Sequence, residues 1–280
     1  MFLTDSTKSL IRLALTEDIG RGDCTTEAII DPEFQARATV YVKQPSRVAG
    51  LPAIDAVFAE LESEVHVIHL VEDGQDVTDN RNAVCRLEGP ARAILMGERT
   101  ALNFLGRLTG IATLTREAVY QLNGTSTKLL DTRKTTPGWR MLEKYAVKMG
   151  GGQNHRFGLD DMVLIKDNHI ALCGGVAAAV RKARERVGLS TKIEVEVDTI
   201  AQLKEALITD ADLILLDNMD TPTLHQAVQI TNNRVILEAS GNMIISRLAE
   251  VAQTGVNYIS MGALTHSATS IDVGLDISFE

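Results

Sequence analysis

From Lys128 onward the chain repeats one pattern six times: a short run rich in Leu, Ile and Val ends in a polar residue, and a helix-like stretch follows. The runs are KLLDTRK (Lys128 to Lys134), MVLIKDNH (Met162 to His169), KIEVEVD (Lys192 to Asp198), DLILLDN (Asp212 to Asn218), RVILEASG (Arg234 to Gly241) and NYISMGA (Asn257 to Ala263). Between them, segments such as TIAQLKEALI, TPTLHQAVQI and NMIISRLAEVAQTG carry apolar residues at helical spacing. Strand endings recur roughly every twenty residues, the cadence of βα units. Parallel strands need a long crossover, and a helix is the usual one. The pattern therefore predicts a parallel sheet closed or nearly closed into a barrel, with a doubly wound open sheet sharing the same cadence.

The first hundred residues follow another rule. QARATVYVKQPSRVAG, VHVIHLVEDGQDV and AVCRLEGPARAIL alternate apolar and polar residues between turn signals, which predicts antiparallel strands with one face covered by helices, Ser6 to Leu15 among them. A long apolar-rich helical stretch, Gly97 to Leu122, is interrupted by Gly106 and Gly110 and is expected to contain the domain boundary. The tail SIDVGLDISF alternates again and is expected to return to the first domain. The expected division is an α/β sandwich over 1–111 joined by 270–280, and a β/α barrel over 112–269.

Within KIEVEVD, period-two alternation sets Ile193, Val195 and Val197 on one face and Glu194, Glu196 and Asp198 on the other. A barrel strand gives its apolar face to the helices, so the carboxylates point inward, where they need a partner or a metal. One reading is an internal ladder of ion pairs. The other sets Glu196 at the barrel mouth with Asp217 from the next strand, two oxygen ligands that suit magnesium bound together with a phosphate substrate.

Barrel enzymes work at the carboxyl ends of their strands. Here those ends supply Arg133, Lys134 and Lys166 from the first strands, then Glu196 and Asp217, then the small-residue turns Ser240, Gly241, Asn242 and Met261, Gly262, Ala263, whose N–H groups suit a terminal phosphate. Thr136 is a candidate N-cap with Pro137 at the first helical position. The three glycines after Met149 permit a turn that delivers His155 and Arg156. From Lys128 to His169 there are eight Lys/Arg and five Asp/Glu, net +3, in a chain of formal charge -9, so the remainder carries -12. A cationic pocket in an anionic body suits a small anionic ligand and argues against nucleic acid or an anionic membrane as the main partner. The three cysteines form no metal or disulfide spacing, and no run approaches a membrane span, so a cytoplasmic protein is expected.

These motifs also carry a resemblance. DTRKTTPGWRMLEKYAVKMGGGQNHRFGLDDMVLIKDNHI is similar to the signature region of the quinolinate phosphoribosyltransferases, the carboxylating nicotinate-nucleotide pyrophosphorylases. The likeness extends from ALTEDIGRGD through GERTALNFLGRLTGIAT, EVEVD and LLDNM to ISMGALTHS. It implies an α/β sandwich followed by an incomplete seven-stranded barrel, magnesium dependence, and a homodimer or larger assembly of dimers whose active sites are shared between subunits. It assigns quinolinate to Arg99, Thr132, Arg133, Lys134, His155, Arg156 and Lys166, with Lys134, Lys166 and Glu196 catalytic. It assigns 5-phosphoribosyl 1-diphosphate to Glu196, Asp217, Ser240, Gly241, Asn242, Met261, Gly262 and Ala263, and magnesium to Glu196 and Asp217. Trp139 and Met261 stand where smaller or branched apolar residues are expected. The molybdenum-transport-associated relatives share the DTRKT beginning but not NHR or KDNHI, and transfer to another acceptor is the second enzymatic reading. A silent barrel that only binds a phosphorylated ligand is the third, and inward carboxylates argue against it because they would repel an anion.

Overall fold

The structure is a computed structural model and describes residues 4–278. Its strands are β1 (Gln35–Val42), β2 (Ser46–Arg47), β3 (His66–His69), β4 (Asp76–Val77), β5 (Asn82–Pro90), β6 (Lys128–Leu130), β7 (Val163–Ile165), β8 (Ile193–Val197), β9 (Leu213–Asp217), β10 (Ile236–Ser240), β11 (Tyr258–Ser260) and β12 (Val273–Ser278). Two compact units result. One takes the chain up to Arg116, Thr135–Gly151 and the chain from Thr265; the other takes Glu117–Lys134 and Gly152–Leu264.

In the first unit an antiparallel sheet has the order β12-β1-β5-β3. Alternation in β1 buries Ala36, Ala38, Val40 and Val42. β12 pairs along β1 from Arg37↔Ser278 to Val42↔Val273, so the tail strand lies at the edge of this sheet. The first helix, Asp5–Ile19, starts where the Thr4 hydroxyl accepts the Thr7 N–H.

The expected helix interruption at Gly106 and Gly110 does not occur. One helix runs unbroken over Ala91–Tyr120. A Cβ on Gly106 would lie 2.7 Å from the Ile271 carbonyl oxygen, and one on Gly110 only 2.1 Å from that of Thr269. The glycines admit the returning tail against the helix, and that close approach outweighs their poor helix propensity. By packing, the segment Thr135–Gly151 belongs with the first unit. There the Trp139 ring stacks on Phe104 at 4.6 Å between centroids.

Thr136 does not cap that segment's helix, which spans Arg140–Met149. Pro137 and Gly138 instead fill a turn closed by Trp139 N–H on the Thr136 carbonyl at 3.0 Å, with Gly138 at φ +83. The Thr136 hydroxyl donates to Glu143 Oε1 at 2.9 Å.

The second unit holds a parallel sheet of order β6-β11-β10-β9-β8-β7, formed by all six of the repeating runs. The resemblance implies seven strands, and six are paired in this sheet among the described residues. The remaining position is reduced to one parallel bridge, Leu130↔Gln153. Asp131 explains the truncation: its fully buried carboxylate accepts the His155 N–H at 2.9 Å and the Asn154 amide at 2.6 Å, so the chain curls around this side chain instead of extending a ladder. Among the described residues no helix is long and apolar enough to cross a membrane.

Candidate active site

Side chains from all six strands or the residues just past them meet in one pocket of about 560 Å³. Parallel register explains the convergence. Glu196 is level with Leu215, Leu215 with Glu238, and Asp217 with Ser240, so alternate residues of neighbouring strands point to the same interior. Thr132, Arg133 and Lys134 follow β6, His155 and Arg156 follow the Leu130↔Gln153 bridge, and Lys166 follows β7.

The cations are held in different ways. Arg156 is only 8% exposed, and its Nη1 donates to the Met162 carbonyl at 3.0 Å. Burial, then the charge of Arg133, pulls its pKa down from the usual guanidinium value, and Glu194 and Asp161 oppose that shift. Lys134 is exposed, with its N–H on the Thr132 hydroxyl at 3.0 Å. The half-exposed Lys166 ammonium lies 2.7 Å from Glu196 Oε2. The pocket thus presents four cations and the carboxylates Glu196 and Asp217, with Glu238 buried in its wall. Such an excess suits a dianion, while the carboxylates await a cation or a cationic centre.

His155 lines the pocket too, but its nitrogens face elsewhere. Nδ1 accepts the Arg156 backbone N–H at 2.7 Å, and Nε2 lies 3.0 Å from Glu194 and 3.4 Å from Glu238. The ring forms part of the pocket wall.

At the other end, Gly241 has φ +87, and a Cβ there would lie 2.2 Å from Asn218 Oδ1. Asn218, itself at φ +53, donates its side-chain amide to Asp217 Oδ2 at 2.6 Å and accepts the Asn242 amide at 3.0 Å. Ser240 and Ser260 meet hydroxyl to hydroxyl at 2.9 Å. A small-residue cradle therefore forms over Ser240, Gly241, Asn242 and Ser260. The second expected tripeptide contributes differently: Met261 is buried with its N–H on the Leu130 carbonyl at 3.0 Å, and the lining takes Ser260 in place of Met261, Gly262 and Ala263. Arg99 belongs to the first unit, exposed on the Ala91–Tyr120 helix, and the pocket lining comes wholly from the second.

Sequence reasoning missed Glu238, Asn218 and Ser260. Glu238 and Ser240 share a face by the same period of two that exposed Glu194 and Glu196, so that signal was present. For Asn218 the hint was weaker: asparagine tolerates the left-handed backbone that the turn after Asp217 requires.

Two family profiles match the chain in succession: quinolinate phosphoribosyl transferase, N-terminal domain, over residues 23–109, and the C-terminal domain of the same family over residues 111–276. The chain belongs to the quinolinate phosphoribosyltransferase family. Among its relatives, the probable nicotinate-nucleotide pyrophosphorylase [carboxylating] of Bacillus subtilis is 45% identical, over 97% of this chain and 93% of that protein. The protein of the same description from Methanocaldococcus jannaschii is 42% identical over 98% of each. The solved nicotinate-nucleotide pyrophosphorylase of Francisella tularensis superposes with a TM-score of 0.93 at 39% identity, covering 98% of this chain and 96% of that one. The pocket described above lies within the residues matched by the C-terminal family domain.

Proposed function

We propose that this quinolinate phosphoribosyltransferase transfers the phosphoribosyl group of 5-phosphoribosyl 1-diphosphate to quinolinate, releasing diphosphate and carbon dioxide and forming nicotinate mononucleotide for NAD biosynthesis. The observation that carries the reading is the convergence of Arg133, Lys134, Arg156 and Lys166 opposite a small-residue cradle in one pocket. Four cations are more than one ring carboxylate needs. Quinolinate has two.

The pyridine nitrogen attacks the anomeric carbon as the bond to diphosphate breaks. Positive charge grows on the ribose, and Glu196 is the carboxylate placed to stabilise it. Once alkylated, the ring nitrogen is cationic and stabilises the carbanion left on the adjacent ring carbon when its carboxylate departs as carbon dioxide, and that carbon then takes up a proton to complete nicotinate mononucleotide. Lys134 holds the side of the leaving carboxylate, and Ser240, Gly241 and Asn242 hold the 5-phosphate.

Glu196 and Asp217 fit magnesium: both are oxygen donors at the ends of adjacent strands, and each has one oxygen in a hydrogen bond to Lys166 or Asn218 and a second to offer. A magnesium ion bound there would neutralise charge on the diphosphate leaving group. The exposed Arg99 is assigned to quinolinate in the site of a second copy of the chain, so the working unit is a homodimer. A reducing cytoplasm suits its three unpaired cysteines.

Purified protein given quinolinate, 5-phosphoribosyl 1-diphosphate and magnesium is expected to form nicotinate mononucleotide. Glu196→Gln and Asp217→Asn, which keep size but lose the charged oxygen, should raise the magnesium concentration needed for half-maximal rate by roughly tenfold or more while calorimetric binding of quinolinate alone is retained. Absence of product from wild-type protein would refute the reading. Damage confined to quinolinate binding would move both carboxylates to a structural role.

A further inference from the structure

Beneath the pocket, two carboxylates of the barrel interior face one imidazole. Glu194 of β8 is fully buried and Glu238 of β10 is 1% exposed. His155 Nε2 lies 3.0 Å from Glu194 Oε2 and 3.4 Å from Glu238 Oε2, and ligand atoms of all three lie within 4.8 Å of one another. Both oxygens of Glu238 and Oε1 of Glu194 are buried without a hydrogen-bond partner. Two ionised carboxylates cannot remain so close in a dry interior unless something positive joins them.

The imidazole does not supply that charge. Its Nδ1 accepts the Arg156 N–H at 2.7 Å and so carries no proton, which leaves a neutral ring with its single N–H at Nε2. That N–H can neutralise neither acid. The neighbours facing Glu238 are Glu194 on β8, His155, the Ser260 hydroxyl on β11 and the apolar Leu215 on β9, while the nearby Arg156 guanidinium is coupled to Glu194. The missing positive charge is then a proton on one carboxylate, and Glu238, both of whose buried oxygens lack a partner, is the better place for it.

We propose that Glu238 is a positioning residue for the reaction above: as a neutral acid it donates to Glu194, the pair holds His155 as the Nε2–H tautomer, and His155 Nδ1 in turn fixes the backbone of Arg156 at the quinolinate pocket. The proposal rests on the quinolinate reading. Its chemistry agrees with the environment, since burial, then the charge of Glu194, pushes the Glu238 carboxyl up to about 8.

The test compares the quinolinate KM of wild type, Glu238→Ala and Glu238→Gln from pH 6.5 to about 9.5, with folding followed by circular dichroism and thermal melting. A carboxamide can donate as the neutral acid does, whereas alanine leaves Glu194 and His155 under-bonded. Alanine should raise the KM by roughly tenfold at neutral pH, with a smaller change in kcat, and glutamine should recover most of that loss. The wild-type KM should climb above about pH 8, as Glu238 loses its proton, and this climb should vanish in Glu238→Gln.

Stability supplies a second readout. The folded-state pKa is raised from 4.5 to about 8, so the protonated acid favours the fold most at low pH, and that contribution is lost as pH rises through this window. The melting temperature of wild type should therefore fall relative to Glu238→Gln between those limits. A folded Glu238→Gln as impaired as Glu238→Ala, or one that keeps the alkaline climb, would overturn the proposal. Wild type that turns over normally separates that outcome from failure of the quinolinate reading, which would show as no product from any variant.

Discussion

Arg133→Ala, Arg156→Ala and Lys166→Ala are each expected to lower kcat/KM for quinolinate on the order of a hundredfold, with the fold intact by circular dichroism. A charge-assisted hydrogen bond to a carboxylate is about twice as strong as a neutral one, and a truncated partner leaves a ligand charge unpaired. Stability should change far less for Lys166, because its ion pair with Glu196 is half exposed and such pairs contribute little. Arg156 is the buried one, so its variant needs the melting control most. Arg133→Lys should also fail, since a point charge cannot reproduce the planar fork that binds a carboxylate through two parallel bonds. Near-normal quinolinate kinetics in all three alanine variants would remove the pocket assignment.

The second large effect is a recovery. Arg99→Ala and Lys166→Ala homodimers should each be nearly inactive if every site draws Arg99 from one chain and Lys166 from the other. After subunit exchange, a mixed dimer holds one site with both lesions and one with neither. Two-fold symmetry and equal amounts make about half of the dimers mixed, so activity should return to about a quarter of wild type. Sites built within a single chain would give no recovery, provided that exchange is confirmed by mass. Arg99 would then be an ordinary exposed residue of its helix.

The barrel sheet was legible because six runs repeat with one cadence, and each became a strand of a single parallel sheet. Cations and carboxylates at the strand ends were legible for the same reason: the carboxyl end of a barrel strand is where a side chain reaches ligand. What the sequence hid were long-range reasons for local choices. Gly106 and Gly110 look like helix breakers until the tail carbonyls of Thr269 and Ile271 are seen against them. Asp131 reads as one more charge in a charged cluster, yet it is a buried latch for Asn154 and His155. His155 reads as a donor, but only the neighbouring Arg156 N–H and the facing acids reveal where its nitrogens point. Spacing along the chain places a residue on a face; it does not say which atom on the other side of the barrel it will meet.

The most direct measurement of the central claim follows the carboxylate beside the ring nitrogen. Quinolinate labelled with carbon-14 in that group is mixed with the protein, 5-phosphoribosyl 1-diphosphate and magnesium, and released label is counted against nicotinate mononucleotide formed. One labelled carbon dioxide should leave for each mononucleotide, neither product should appear without the phosphoribosyl donor, and nicotinate offered in place of quinolinate should give little mononucleotide. Nicotinate used as readily as quinolinate, or mononucleotide that keeps the label, would contradict a pocket whose extra cations serve the second carboxylate.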